Sequence, residues 1–180
     1  MVSTIIITAV IIAAVASAVA AYAAGRPEAF EVSRTVTIAA PPERIYPLIE
    51  SLRAFNTWNP FLKADPATRL VYSGPEQGLG AAHAWEGNGK VGAGRVEITE
   101  AVAPSRVAMR LDMIKPMKAS NTVVFSLTPA AGSTAVTWQM SGKHGLMGKL
   151  VGLCVDTDRM CGRAFETGLA DLKAKAEQLV

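Results

Sequence analysis

The sequence predicts one α+β domain, a curved and mainly antiparallel sheet of about seven strands closed over by a long C-terminal helix, with a separate apolar helix ahead of it. Three observations carry that expectation. Strand-length runs follow one another from Leu70 to Ser141, separated only by Gly, Pro and Ser punctuation. One long stripe of three- and four-residue steps occupies the C-terminal end from Leu146 to Val180. The first 25 residues hold no charged side chain and stand apart from the mixed-charge remainder.

That contrast divides the chain into residues 1–25, an N-terminal transmembrane anchor or signal peptide, and residues 26–180, a single domain. Thr4 to Ala24 would extend about 31 Å as a helix, the thickness of a hydrocarbon core. The rival is a cleaved signal peptide, supported by the small-residue run Ala21-Tyr22-Ala23 before Ala24. No Lys or Arg precedes the apolar run, and the run exceeds the usual signal core, which favours a retained single-pass anchor. Arg26 and Arg34 on its C-terminal side point to a cytoplasmic domain. Tyr22 sits where an interfacial aromatic would hold the helix end, and Gly25 to Pro27 breaks the helix.

In the domain, Val32, Val36 and Ile38 share one face of a strand over Phe30–Ile38, on which Arg34 is out of place. Ala40-Pro41-Pro42 stops it. Ile45, Leu48, Ile49 and Leu52 then mark a short amphipathic helix in which Pro47 is awkward, and Phe55–Leu62 forms an aromatic knot around Trp58 and Phe61. Strands are expected at Leu70–Ser73, Ala81–Glu86, Arg95–Val102, Arg106–Met113, Ser120–Thr128 and Thr134–Ser141. The last three have clean apolar faces: Val107, Met109, Leu111 and Met113; Val123, Phe125 and Leu127; Val136, Trp138 and Met140. The terminal stripe runs through Met147, Leu150 or Val151, Cys154, Asp158, Cys161, Phe165, Leu169 and Leu172. Without crossover helices between the later strands the sheet has to be mainly antiparallel, and only the terminal helix is long enough to cover its apolar face.

This order of elements, opened by Val36-Thr-Ile-Ala-Ala-Pro-Pro-Glu-Arg-Ile-Tyr-Pro-Leu-Ile, resembles the polyketide cyclase/dehydrase family of the START-like (SRPBCC) superfamily. Trp58-Asn-Pro-Phe, the stretch from Trp85-Glu-Gly-Asn-Gly to Val91-Gly-Ala-Gly, Lys115-Pro116 and Ser133-Thr-Ala-Val-Thr-Trp138 with Gly142 support it, over Glu31 to about Leu179. The resemblance implies a helix-grip fold with a tunnel between sheet and helix that takes a hydrophobic small molecule, lipid-like or aromatic. Trp58 from the aromatic knot and Trp85, Met109, Leu111, Met113, Phe125, Trp138 and Met140 from the sheet would line it. Met147, Val151, Cys154, Asp158 and Phe165 would do so from the helix. Methionine suits such a surface because it adapts to irregular shapes.

Other chemistries are bounded by the residues. The eighteen basic side chains are interleaved with fifteen acidic ones and form no block, which argues against nucleic acid. Gly87-Asn-Gly89-Lys-Val-Gly92 fits G-x-G-x-x-G, but a strand follows where a dinucleotide site needs a helix, so it reads as a hairpin turn. No cofactor is expected. With only His83 and His144 a His-rich metal site is excluded, and Ser141, His144 and Asp156 lack a nucleophile elbow. Cys154 and Cys161, two helical turns apart at about 10 Å, cannot form a disulfide. Two weak catalytic candidates remain for a cyclase or dehydratase reading: His83, alternating with Trp85 on a strand, and Asp158, a carboxylate on an otherwise apolar stripe that calls for an arginine such as Arg110 or a polar spot in the tunnel. An interaction module without ligand is the third alternative.

Overall fold

The structure is a computed structural model that describes residues 2–25, 27–89, 91–143, 145, 148–149 and 157–178. The apolar helix α1 (Val2–Ala24) precedes β1 (Ala29–Ile38). Four single-turn helices follow: α2 (Pro42–Ile45), α3 (Pro47–Glu50), α4 (Leu52–Phe55) and α5 (Pro60–Lys63). The sheet continues through β2 (Arg69–Ser73), β3 (Ala82–Glu86), β4 (Ala93–Val102), β5 (Arg106–Lys115), β6 (Ala119–Ala130) and β7 (Ser133–Lys143), and α6 (Thr157–Gln178) closes the domain.

The expected amphipathic helix is thus broken into turns, and Pro47 shows why. It stands at the first position of its own turn, where its missing N–H removes no hydrogen bond. Ser51 caps α4 by accepting from the Ala54 amide, and Asn59 caps α5 by accepting from Phe61. Trp58 donates its indole N–H to the Leu48 carbonyl at 2.8 Å, tying the knot to α3.

The seven strands form one antiparallel sheet in the order β1-β7-β6-β5-β4-β3-β2. Consecutive strands are hairpin neighbours, and β1 closes against β7. The pairing aligns the inward side chains in rows across the sheet. One row is Leu70, Trp85, Gly94 and Met113; the next is Tyr72, His83, Val96, Leu111, Asn121, Gly142 and Phe30. Deeper rows are Ile98, Met109, Val123, Met140 and Val32, then Val107, Phe125, Trp138 and Arg34. The helix α6 places Cys161, Phe165, Leu169, Leu172 and Ala176 on the core, a stripe of three- and four-residue steps. Its backbone lies closest to β1.

Candidate functional site

The space between sheet and helix differs along its length. At the deep end Trp58, Phe125 and Phe165 are at most 1% exposed and Trp138 is 2% exposed. Such side chains border no void of even water size. Trp138 and Phe165 stack at 4.3 Å with ring planes 9° apart, and Phe55 and Trp58 meet Phe125 and Trp138 edge to face. Gly168 allows this closeness, since a Cβ there would fall 2.8 Å from Trp138. Trp58, Met109, Phe125, Trp138 and Phe165, expected as tunnel lining, therefore pack against one another as core.

The opposite end, where β1 begins and β7 ends, is less filled. Leu70, Tyr72, Val91, Leu111, Met113 and Phe30 are only partly buried, above a floor of Val96, Trp85 and Met140. Trp85 lies flat over Gly94, where a Cβ would meet its ring at 2.3 Å, and its indole N–H donates to the Val91 carbonyl at 3.2 Å. This mouth joins Trp85, Leu111, Met113 and Met140 of the sequence-predicted lining. Met147, Val151 and Cys154, together with His144 and Asp156, lie outside the described residues.

Among the described residues the buried side-chain atoms without a hydrogen-bond partner are Thr68 Oγ1, Trp138 Nε1 in the deep cluster, and His83 Nδ1 and Asn121 Oδ1 at the mouth. His83 is 2% exposed, and its Nδ1 has no hydrogen-bond partner among the described residues; nor does Oδ1 of Asn121, in the same row. Burial pushes the His83 imidazole down to about 4, so at neutral pH the ring is uncharged. It sits between the rings of Tyr72 and Trp85, at 5.6 and 6.2 Å. The Tyr72 hydroxyl accepts from Asn56 at 3.1 Å, and the Arg53 guanidinium covers the Tyr72 ring at 4.2 Å. Three strand spacings separate His83 from Asn121, roughly 14 Å along the sheet, with Val96 and Leu111 between them. Two depressions adjoin this row: a crevice of about 140 Å³ beside Tyr72, Arg53 and Ala81, and an open groove of about 610 Å³ beside Phe30, Ser141, Gly142 and Thr122.

Asp158 pairs with an arginine, as expected of it, but the partner is Arg34 and not Arg110, and the pair lies at the surface and not on the buried stripe. Asp158 is exposed, and it accepts both terminal nitrogens of Arg34 at 3.0 Å while Glu166 accepts Nε at 2.9 Å. The stripe leaves the core before Asp158 because α6 there passes the edge strand β1, and Arg34 reaches across Gly162 to meet it. The hydrogen bonds from Arg34 hold the Asp158 carboxyl below its usual range. Arg110 faces outward and pairs with Glu97 and Asp112.

Sequence reasoning passed over Asn121 and Tyr72. Both signals were present: Asn121 continues the period-2 face of Val123, Phe125 and Leu127, and Tyr72 shares a face with Leu70. A short polar residue at the start of a greasy face is easily read as the strand's end.

A seven-stranded antiparallel sheet with a terminal helix packed on its inner face defines a helix-grip domain of START-like type. The family model described as "Polyketide cyclase / dehydrase and lipid transport" matches residues 29–177, and the chain belongs to that family. A Chromobacterium violaceum protein of solved structure is similar, at 14% identity and TM-score 0.60 over 82% of this chain and 96% of that one. So is major latex-like protein 151 of Panax ginseng, at 12% identity and TM-score 0.56 over 82% and 97%. The Aha1 dimer of Colwellia psychrerythraea aligns at 19% identity and TM-score 0.55 over 80% and 93%. These likenesses concern the fold. No curated protein matches the chain in sequence. Ahead of the domain, Ile6–Ala24 is a helix long and apolar enough to cross a membrane.

Proposed function

We propose that the chain is a membrane-anchored binding or carrier domain that holds an apolar small molecule, lipid-like or aromatic, at the mouth between the sheet and the terminal helix. The observation that carries this reading is the pair of buried polar atoms at the mouth without a partner among the described residues, His83 Nδ1 and the acceptor Asn121 Oδ1, set among apolar side chains. A buried polar atom without a partner costs about 1–3 kcal/mol, and a bound hydroxyl, amine or amide N–H would remove that cost. The ligand accordingly has an apolar body and at least one hydrogen-bond donor. The aromatic cluster confines it to the mouth, because the deep end has no room for it.

An uncharged His83 whose Nδ1 has no hydrogen-bond partner among the described residues supports binding over proton transfer, since a base whose conjugate acid titrates near 4 takes up protons poorly at neutral pH. Asp158, exposed and held as a carboxylate by Arg34, is remote from the mouth. The family's description spans enzymes and lipid transport and is compatible with the carrier reading. Helix α1 supports an anchor: Ile6, Ile7, Val10, Ile11, Ile12 and Val15 are 56–63% exposed, an apolar surface on all sides that lipid would cover. Its last turn is fixed to the domain, for Ala23 is fully buried and Lys149 donates to the Ala24 carbonyl at 3.2 Å.

Purification of the full chain in mild detergent, followed by solvent extraction and mass spectrometry, tests the reading. The same molecule should be recovered repeatedly at near-stoichiometric yield from the wild type, and its yield should collapse in a His83→Phe, Asn121→Leu double variant that folds normally. Equal recovery from both proteins would refute the assignment of the mouth.

A further inference from the structure

The hairpin between β5 and β6 carries a surface that neither the core nor the mouth uses. Ile114 is 55% exposed and Met117 is 43% exposed, while the alternating lysines Lys115 and Lys118 are exposed beside them. Their position gives this pattern its meaning. Asn121 pairs with Gly142, and Gly142 with Phe30, so the tip at Met117 projects four residues beyond that row, roughly 13 Å. It projects at the end of the sheet where β1 begins, five residues after the last residue of α1. The tip is braced from behind. Gly92, at φ +69°, lets the β3–β4 turn run so close that a Cβ there would lie 2.2 Å from the Lys115 carbonyl oxygen; a substituent would force the two turns apart.

We propose that Ile114–Lys118 is a second membrane contact, in which Ile114 and Met117 enter the boundary between headgroups and acyl chains and Lys115 and Lys118 reach anionic phosphates. The contact rests on the reading of α1 as a membrane anchor, and its occupant is the bilayer surface on the domain's own side. An exposed apolar pair flanked by long cationic side chains suits that boundary, since lysine can lay its stem along apolar surface and keep its ammonium among headgroups. Lys115 lies 3.7 Å from Glu86, but both are about two-thirds exposed, which leaves the ammonium free to exchange partners. Met113, at the rim of the mouth, and Trp85, in its floor, lie within a few residues of the tip along β5 and across β4. Docking therefore turns the mouth toward the lipid, and the ligand can pass between bilayer and cup without crossing water.

The test uses the full chain in vesicles of phosphatidylcholine and phosphatidylserine, with brominated acyl chains that quench nearby indoles. Single tryptophans are introduced as Met117→Trp at the tip, Val102→Trp at the far end of the sheet and Tyr22→Trp in α1. Native Trp58, Trp85 and Trp138 are at most 9% exposed and supply a background that the wild type measures. The indole at 117 should lose emission about twofold in brominated vesicles, as a side chain at the acyl boundary does, and the indole at 102 should not change. Lys115→Gln with Lys118→Gln should weaken the quenching at 117, each removal lowering the docking equilibrium about fivefold in anionic vesicles, while the quenching at 22 persists. Quenching at 22 without quenching at 117, or equal quenching at 117 and 102, overturns the contact and leaves the anchor standing. Quenching at 117 without quenching at 22 supports the contact and removes the anchor, and quenching at neither removes both.

Discussion

Lowering the pH should unfold this domain through His83 before it does so through its carboxylates. Burial depresses the imidazole from 6.5 to about 4, so between those values the unfolded chain binds a proton that the folded chain refuses. A depressed histidine contributes stability that is complete above the unfolded value and is lost as the pH falls through the window toward the folded one. From about pH 7 to about pH 4.5 the loss amounts to about 2 kcal/mol, a large share of the stability of a small domain. Urea titrations of the full chain in mild detergent at the two pH values would measure it, with His83→Phe as the comparison. The phenyl ring keeps an aromatic side chain between Tyr72 and Trp85 and cannot titrate. Carboxylates held below their usual range by hydrogen bonds, such as Asp158 and Glu177, act alike in both proteins, so the difference belongs to His83. The variant should be less sensitive to acid by about 2 kcal/mol. At neutral pH it should be as stable as the wild type or slightly more so, because it no longer buries an unpaired nitrogen. Equal acid sensitivity in the two proteins would refute the reasoning, as would a marked loss of stability in the variant at neutral pH, which would mean that the ring has a partner in the folded state.

Three further outcomes follow from the same geometry. Phe165→Ala removes the ring stacked on Trp138 and should destabilise the domain by about 3–5 kcal/mol in thermal or urea unfolding. Gly162→Ala would place a Cβ 2.0 Å from Arg34 Nη2 and expel the guanidinium, so the Asp158 carboxyl should titrate higher than in the wild type when followed by carbon-13 NMR. Leu111→Trp at the half-buried rim should leave stability within about 1 kcal/mol but abolish recovery of an extracted ligand, because the indole would fill the space between His83 and Asn121.

Much of the fold was legible because the pattern was local. Alternation in β5, β6 and β7 places Met109, Phe125 and Trp138 inward, and pairing of those strands makes the deep rows. The order of strands excludes a parallel sheet, and the structure has the expected seven strands. The aromatic residues could be assigned to the interior but not to a filled or an open part of it. That distinction depends on ring stacking between Trp138 and Phe165, which are far apart in sequence, and on Gly168 as the gap that admits them. The arginine pair of Asp158 was legible but its exposure and its partner were not, for a similar reason: helical periodicity gives the face of a residue but not where the helix runs past the sheet's edge. Arg34, which looked like a fault in β1, is the side chain that meets it.

The most direct test of the mouth is methyl NMR of the full chain, labelled at the methionine methyls and titrated with 1-naphthol, an apolar ring system with one hydroxyl donor. Met113 stands at the rim and Met109 in the sealed core, while Met160 is 59% exposed on α6. The Met113 resonance should shift saturably while those of Met109 and Met160 stay in place, and naphthalene, which lacks the donor, should bind up to about tenfold more weakly. Saturable binding that moves Met160 but not Met113, or no binding by either compound, would contradict a ligand site at this end of the sheet.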